Sequence, residues 1–196
     1  MGFVIQPNPL ALSLLVPTAV CGSLALYALL SQPVTGSRAF ALLMASVFIW
    51  SLAYGLELAS LSLEQMLFFI NLEYMGIASI PVLWLILALQ YTGREKWVNA
   101  RNIALLCIMP FITLVMVVTN RFHNLYYSAV SVDAAGHMPM LAITPGPWYL
   151  AFFAYYYMCM LLGTVLLALR LRHPATIYRR QIWAFLIGVS VPWVVN

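Results

Sequence analysis

The chain has 196 residues, of which 64% are hydrophobic and only 7% are charged. Soluble globular domains carry about 25% charged residues, so this composition excludes a soluble protein and predicts a membrane protein. The formal net charge of +4 comes from nine basic and five acidic residues. Attraction of basic loops to an anionic inner leaflet explains this charge, and nucleic acid is not an expected partner.

Long apolar runs predict transmembrane helices, because about 20 apolar residues cross the hydrocarbon core of a bilayer. We expect an all-α, polytopic transmembrane helical bundle in contact with the lipid bilayer. Its six helices are predicted at about residues 10–31, 39–61, 66–91, 103–119, 147–171 and 181–196. The last run is still apolar at Asn196, so we expect the natural protein to continue into a seventh helix.

Basic residues are unevenly divided between the two sides of this bundle. Eight of the nine lie in the loops after the first, third and fifth helices, and only Arg121 lies on the other side. Because cytoplasmic loops are rich in Lys and Arg, this pattern predicts an N-terminus outside the cell. The loop over residues 120–146 is then extracellular. Two runs rich in β-branched and aromatic residues, separated by DAAG, predict a small β-hairpin there, with an irregular loop as the alternative.

Two of the five acidic residues, Glu57 and Glu73, lie within apolar helices. A charged side chain deep in a transmembrane helix costs roughly 2.5–3.5 kcal/mol, so such residues normally face the bundle or a wet cavity. The two helices are antiparallel neighbours, which places both carboxyl groups at a similar level in the outer half. We predict a shared polar pocket. The alternative is a purely structural role, through hydrogen bonds between the helices or pairing with Arg121 or His123.

Aromatic and polar residues accompany the two acids at helical spacing. Two aromatic residues share a stripe with Glu57 on the second helix, and a tryptophan lies close to the stripe of Glu73 on the third. The fifth helix carries the aromatic stretch AFFAYYYM in its outer half. The candidate ligand-binding residues are Trp50, Tyr54, Glu57, Glu73, Trp84, Asn120, His123 and Tyr156. Three scattered histidines predict no metal site.

Five segments carry a family resemblance: FIWSLAYGLELAS, NLEYMGIASIPVLWLILALQYTGREKW, MPFITLVMVVTNRFHNLYYS, GPWYLAFFAYYYM and YRRQIWAFLIGVSVPWVVN. With these segments in this order, the chain resembles the seven-helix N-terminal sensor region of bacterial membrane histidine kinases over nearly all of its length. The resemblance marks five positions that match the family pattern, namely Glu57, Glu73, Trp84, Asn120 and His123.

The resemblance implies a sensory input domain in the bacterial cytoplasmic membrane, whose last helix leads into cytoplasmic modules. It implies a histidine kinase core as the output, or a diguanylate cyclase as in some relatives. ATP and Mg²⁺ would belong to such a kinase module, and no cofactor is expected in the stretch itself. A homodimer and a cytoplasmic response regulator are the implied partners. No catalytic residue lies in this stretch, so whether the full chain is an enzyme depends on those modules.

The residues themselves favour a receptor that binds a small extracellular or lipid-like molecule in an outer-half pocket. The apolar lining suggests an amphiphilic or aromatic ligand, and the acids suggest a cationic or hydrogen-bond-donating group. The alternative is a small-molecule or proton-coupled transporter that uses the same carboxyl groups as a relay. Carriers tend to show internal repeats, and no convincing repeat occurs here.

Overall fold

The computed structural model describes residues 6–31, 34–133 and 139–171, and the predicted helix over 181–196 lies outside these ranges. In chain order the elements are α1 Pro9–Ser13, α2 Leu15–Leu30, α3 Ser37–Leu58, α4 Leu63–Tyr91, a 3₁₀ turn Glu95–Trp97, α5 Ala100–Val118, α6 Asn120–His123, β1 Tyr127–Asp133, β2 Met140–Pro145 and α7 Pro147–Leu171. Counting α1 with α2, five helices of the described part are long and apolar enough to cross a membrane.

These five helices occupy the first five predicted ranges, and their ends differ from the predicted ends by at most three residues. One such difference lies between α3 and α4. The Asn8 side-chain amide donates to the Leu58 carbonyl at 2.7 Å, where α3 ends, and the Ser62 hydroxyl accepts from the Gln65 N–H at 3.3 Å, where α4 begins. Hydropathy does not report such capping contacts, which determine where a helix ends.

The β-hairpin predicted between the fourth and fifth helices is confirmed. β1 and β2 pair antiparallel, with Val130 opposite Ile143 and a register shift between Tyr127 and Ala129. Val130, Leu141 and Ile143 pack against apolar side chains at the end of the bundle where α4 begins and α5 ends. We call this the hairpin end.

α4 is the central helix of the described bundle. It is buried along most of its length, whereas the other long helices bury only one face. α3 and α7 are its main packing partners, and α5 packs beside it. Neighbouring helices therefore contact side chains on several faces of α4. A shift of α4 at one of these contacts alters its packing at the other contacts.

The antiparallel helices α3 and α4 approach each other closely at Gly76. A Cβ atom added at Gly76 would meet the Ser46 carbonyl oxygen and would lie 2.9 Å from the Trp50 backbone nitrogen. Backbone atoms cannot swing aside as a flexible side chain can. The close packing of α3 against α4 therefore requires a residue without a side chain at position 76.

We predict that Gly76→Ala destabilises the protein by about 1–3 kcal/mol, because overpacking would push α3 away from α4. Gly55→Ala on α3 is the matched control, since its Cβ would lie 3.7 Å from the nearest atom, an ordinary contact. Thermal unfolding in detergent, followed by circular dichroism, measures both changes. Equal melting temperatures for the two variants would contradict the close approach.

Candidate functional site

Glu57 of α3 and Glu73 of α4 are both buried, with 7% and 5% of their surfaces exposed. Measured from the contact at Gly76, Glu73 lies about 4.5 Å and Glu57 about 10.5 Å towards the hairpin end, at ~1.5 Å per residue. Helical side chains lean towards the N-terminus of their own helix, so in this antiparallel pair the two side chains lean towards each other. The carboxyl groups consequently lie within hydrogen-bonding distance.

A hydrogen bond between two carboxyl groups requires a proton, because ionised carboxylates are only acceptors. The Glu57–Glu73 pair therefore holds at least one proton while this contact exists. Glu73 Oε1 is buried, and no N–H or hydroxyl group of the described residues donates to it. Tyr54 lies close enough to both carboxyl groups to interact with them electrostatically, although 37% of its surface is exposed.

A cluster of tyrosines adjoins the carboxyl pair beneath the hairpin. The ring of Tyr126 makes edge-to-face contacts with Tyr74 at 5.1 Å, Tyr127 at 4.8 Å and Tyr149 at 5.6 Å between centroids, a favourable arrangement for aromatic rings. Burial raises the pKa of Tyr126 and Tyr127 above the usual value near 10, so both phenols are neutral. Tyr127 also lies close enough to Glu73 for electrostatic interaction.

The hydroxyl groups of Tyr126 and Tyr127 are buried and unsatisfied. Both lie near the Tyr74 hydroxyl, but no group of the described residues meets them with hydrogen-bond geometry. The two hydroxyl oxygens therefore face surroundings in which no described side chain is positioned to hydrogen-bond to them. Buried polar groups in folded proteins normally have a hydrogen-bonding partner, so these two hydroxyl groups are exceptions that need an explanation.

Asn120 builds the turn that places the two tyrosines. Its Oδ1 accepts from the backbone N–H groups of Tyr126 at 2.9 Å and Tyr127 at 3.0 Å, and its Nδ2 donates to the Tyr127 carbonyl at 3.0 Å. The side-chain amide of Asn120 thus makes its hydrogen bonds within the local turn. A ligand contact by Asn120 stays a prediction, whereas its positioning role is visible in the structure.

His123 stabilises the same turn. Its Nδ1 accepts from the Leu125 N–H at 3.0 Å, so the ring proton of the neutral imidazole lies on Nε2. Nε2 is 3.1 Å from the Thr119 hydroxyl, which donates its own hydrogen to the Val115 carbonyl at 2.6 Å, and Nε2–H is therefore the donor to Thr119. Asn124 follows with a positive φ of 52°, which completes the turn.

Trp84 lies well away from the carboxyl pair. It is eleven residues beyond Glu73 on α4, or about 16 Å along the helix. Its Nε1 donates to the Met160 carbonyl at 3.1 Å, and its ring fills the space beside Gly163, where a Cβ would lie only 2.6 Å from Cδ1. In the structure Trp84 is an anchor between α4 and α7.

The remaining two predicted aromatic residues also have packing roles. Trp50 is 38% exposed, and its backbone forms the contact with Gly76. Tyr156 is half-buried and packs edge-to-face on Phe152 at 6.2 Å. Of the predicted residues, the structure brings Tyr54, Glu57 and Glu73 together. Sequence reasoning missed the electrostatic interaction of Tyr127 with Glu73, because the sequence around Tyr127 is typical of a strand.

A cavity of about 580 Å³ lies between α4 and α5 at the hairpin end, next to β1. Its walls are mostly apolar, and Tyr127 is one of the residues that line it. Asn71 and Arg121 add polar groups, and the Arg121 guanidinium lies 4.6 Å from the centroid of the Phe122 ring. Asn120 also lines this cavity, whereas the two buried acids do not. Tyr127 therefore lines the cavity and also interacts electrostatically with Glu73.

Five helices of the described part that are long and apolar enough to cross a membrane indicate a membrane protein. The family model described as the N-terminal 7TM region of histidine kinase matches residues 13–196, and the chain belongs to this family. It is a membrane sensory input region. A comparison with curated proteins gives no match.

We predict that Asn120→Ala destabilises the protein by about 2–4 kcal/mol, because it leaves two buried N–H groups and a carbonyl without their partner. Asn99→Ala is the control. Asn99 caps the exposed start of α5 by accepting from the Asn102 N–H at 3.0 Å, and its loss costs about 1 kcal/mol. Chemical unfolding gives both values, and hydrogen exchange should accelerate at the Tyr126 and Tyr127 amides only in Asn120→Ala. Unchanged exchange there would contradict the positioning role.

Proposed function

We propose that this sensory region detects a small amphiphilic molecule that enters the α4–α5 cavity from outside the cell. The observation that carries the proposal is the cavity itself. Its volume of about 580 Å³ falls within the ~300–1,000 Å³ typical of small-molecule sites, which are mainly apolar with a few polar groups. The apolar walls of the cavity suit the apolar tail of an amphiphile, and the polar groups at its edge suit the polar head.

The charge distribution supports an outward-facing hairpin end in the bacterial inner membrane. Arg121 is at the hairpin end, whereas the basic residues at the opposite end of the described bundle are Arg38, Arg94, Lys96, Arg101 and Arg170. Under the positive-inside rule the opposite end faces the cytoplasm. The N-terminus and the cavity then lie on the extracytoplasmic side of a multi-pass protein.

The cavity favours an anionic head group, such as a carboxylate. The sequence pattern suggested a cationic or hydrogen-bond-donating group, on the expectation that the acids face the ligand. The two carboxyl groups instead contact each other, and the charged side chain that lines the cavity is Arg121. A guanidinium binds carboxylate and phosphate groups through two parallel hydrogen bonds.

Tyr127 links the cavity to the interior of the bundle. A ligand that displaces its ring would change the surroundings of Glu73, and with them the contact between α3 and α4. Binding then favours one of two helix arrangements, which is the requirement for a signal to cross the membrane. Direct ligand contacts by Glu57, Glu73, Trp84 and the other sequence candidates are a separate proposal, since of these candidates only Asn120 lines the α4–α5 cavity.

The proposed output of the sensor is a cytoplasmic module. We propose a homodimer whose helices pass the signal to a cytoplasmic kinase module, with a diguanylate cyclase as the alternative output. ATP and Mg²⁺ would serve that kinase module, and a response regulator would be its partner. The family match supports this assignment, since it is the membrane region of histidine kinases.

A photoreactive diazirine fatty acid tests the proposed ligand class in nanodiscs. We expect it to label residues that line the cavity. Arg121→Gln should reduce labelling by about tenfold or more, since a hydrogen bond to a charged group contributes about 1.5–3 kcal/mol. Arg101→Gln, an exposed arginine at the opposite end, is the matched control and should label as the wild type does.

The corresponding uncharged fatty alcohol should label the cavity of the wild-type protein weakly. Equal labelling by the acid and the alcohol, or equal labelling of Arg121→Gln and wild type, would contradict the anionic head group. Labelling spread over all lipid-facing helices would contradict the cavity as the site.

A further inference from the structure

Asn71 is a polar residue in an apolar part of α4. It lies eight residues beyond Leu63, where the helix begins, or about 12 Å along the helix at ~1.5 Å per residue. Its side chain is half-buried and lines the α4–α5 cavity. Asparagine in a membrane-spanning helix normally hydrogen-bonds to a neighbouring helix, because hydrocarbon offers its amide no partner. A partner is therefore expected for Asn71 as well.

The side-chain amide of Asn71 makes no hydrogen bond within the described part of the chain. Other polar side chains nearby do make such bonds. Asn120 bonds three times to the backbone of its turn, and the Ser79 hydroxyl, also on α4, donates to the Met75 carbonyl at 2.9 Å. The donor and the acceptor of the Asn71 amide are consequently both available to a molecule that occupies the cavity.

Asn71 and Arg121 lie at different depths of this cavity. Of the α4 residues that line it, Asn71 lies farthest from the hairpin end. Arg121 lies beyond Val118, the last residue of α5, and so at the hairpin end itself. Leu67 and Ile70 form an apolar wall on α4 nearer the hairpin end than Asn71. A chain that begins with a carboxylate at Arg121 and continues into the cavity therefore meets apolar side chains first and a single amide deeper in.

The chemistry of an amide determines which group in the chain suits it. A hydroxyl group can donate to the Asn71 Oδ1 and accept from its Nδ2, so it uses both functions of the side chain. A plain hydrocarbon chain would cover the amide and leave it without water or partner. A site that is built to hydrogen-bond a hydroxyl group discriminates against the analogue that lacks it for this reason.

We propose that Asn71 is a specificity-determining residue, which selects carboxylate amphiphiles with a hydroxyl group in the middle of the chain. The carboxylate lies at Arg121, and the hydroxyl group hydrogen-bonds to the Asn71 amide deeper in the cavity. A hydroxyl group next to the carboxylate would stay near Arg121 and gain nothing from Asn71. This inference rests on the proposed function, since it takes the position of the carboxylate from it.

The test measures how well unlabelled acids displace the photoreactive fatty acid from the cavity, with the protein in nanodiscs. The competitors are a plain fatty acid, the acid of equal length with a mid-chain hydroxyl group, and the acid with its hydroxyl group next to the carboxylate. The ratio of displacing concentrations is compared between protein variants. Partitioning of each acid into the bilayer is the same for every variant, so a change in the ratio reports a contact with the protein.

Asn71→Leu removes the amide and keeps a side chain of similar size. We expect it to reduce the preference for the mid-chain hydroxy acid over the plain acid by about fivefold, the factor that one net hydrogen bond supplies. Asn71→Ala should have the same effect without filling the cavity, which keeps the test decisive if Asn71→Leu does not fold. Ser79→Ala is the matched control, because Ser79 is a polar residue of α4 that does not line the cavity.

The outcomes separate this inference from the proposed function. If the photoreactive acid labels the cavity and Asn71→Leu leaves the ratio for the mid-chain hydroxy acid unchanged, the role of Asn71 is refuted and the carboxylate site stands. An equal effect of Asn71→Leu on the acid with its hydroxyl group next to the carboxylate would also overturn the assignment. If the photoreactive acid does not label the cavity of the wild-type protein, the proposed function fails, and this inference fails with it.

Discussion

The contact between α3 and α4 is the constraint on which the hairpin end depends. α4 is buried along most of its length, and Gly76 lets its backbone approach that of α3 without a side chain between them. At this separation two side chains that lean towards opposite ends of the bundle can meet. The closeness of Glu57 and Glu73 is a consequence of that antiparallel geometry, and a hydrogen bond between two carboxyl groups requires a proton.

The hairpin end is held together by polar contacts that are local in sequence. Asn120 binds the backbone of Tyr126 and Tyr127 through three hydrogen bonds, and His123 closes the same turn. These contacts bring the rings of Tyr126 and Tyr127 against Tyr74 of α4. The connection after α5 therefore completes the interior of the bundle, and Tyr127 both lines the cavity and interacts electrostatically with Glu73.

The helices and the hairpin were predictable because their signals are local. Runs of about 20 apolar residues mark the spans, and the alternation of β-branched and aromatic residues around DAAG marks the strands. The ends near Leu58 were less predictable, since the cap there comes from Asn8, fifty residues earlier in the chain. The predicted stripe from Glu73 to Trp84 was correct in its helical phase, but the 11 residues between them separate the two side chains by about 16 Å.

By itself the sequence determined the class of the protein, the helix pattern, the hairpin and the two acids that apolar helices rarely carry, because composition and periodicity are properties of the chain. The tertiary structure decided which side chains become neighbours. It turned Trp84 towards α7, used Asn120 and His123 to hold a turn, and placed the ring of Tyr127 against Tyr74. These outcomes depend on the separation and offset of helices far apart in the chain, which backbone contacts such as the one at Gly76 establish and residue spacing does not encode.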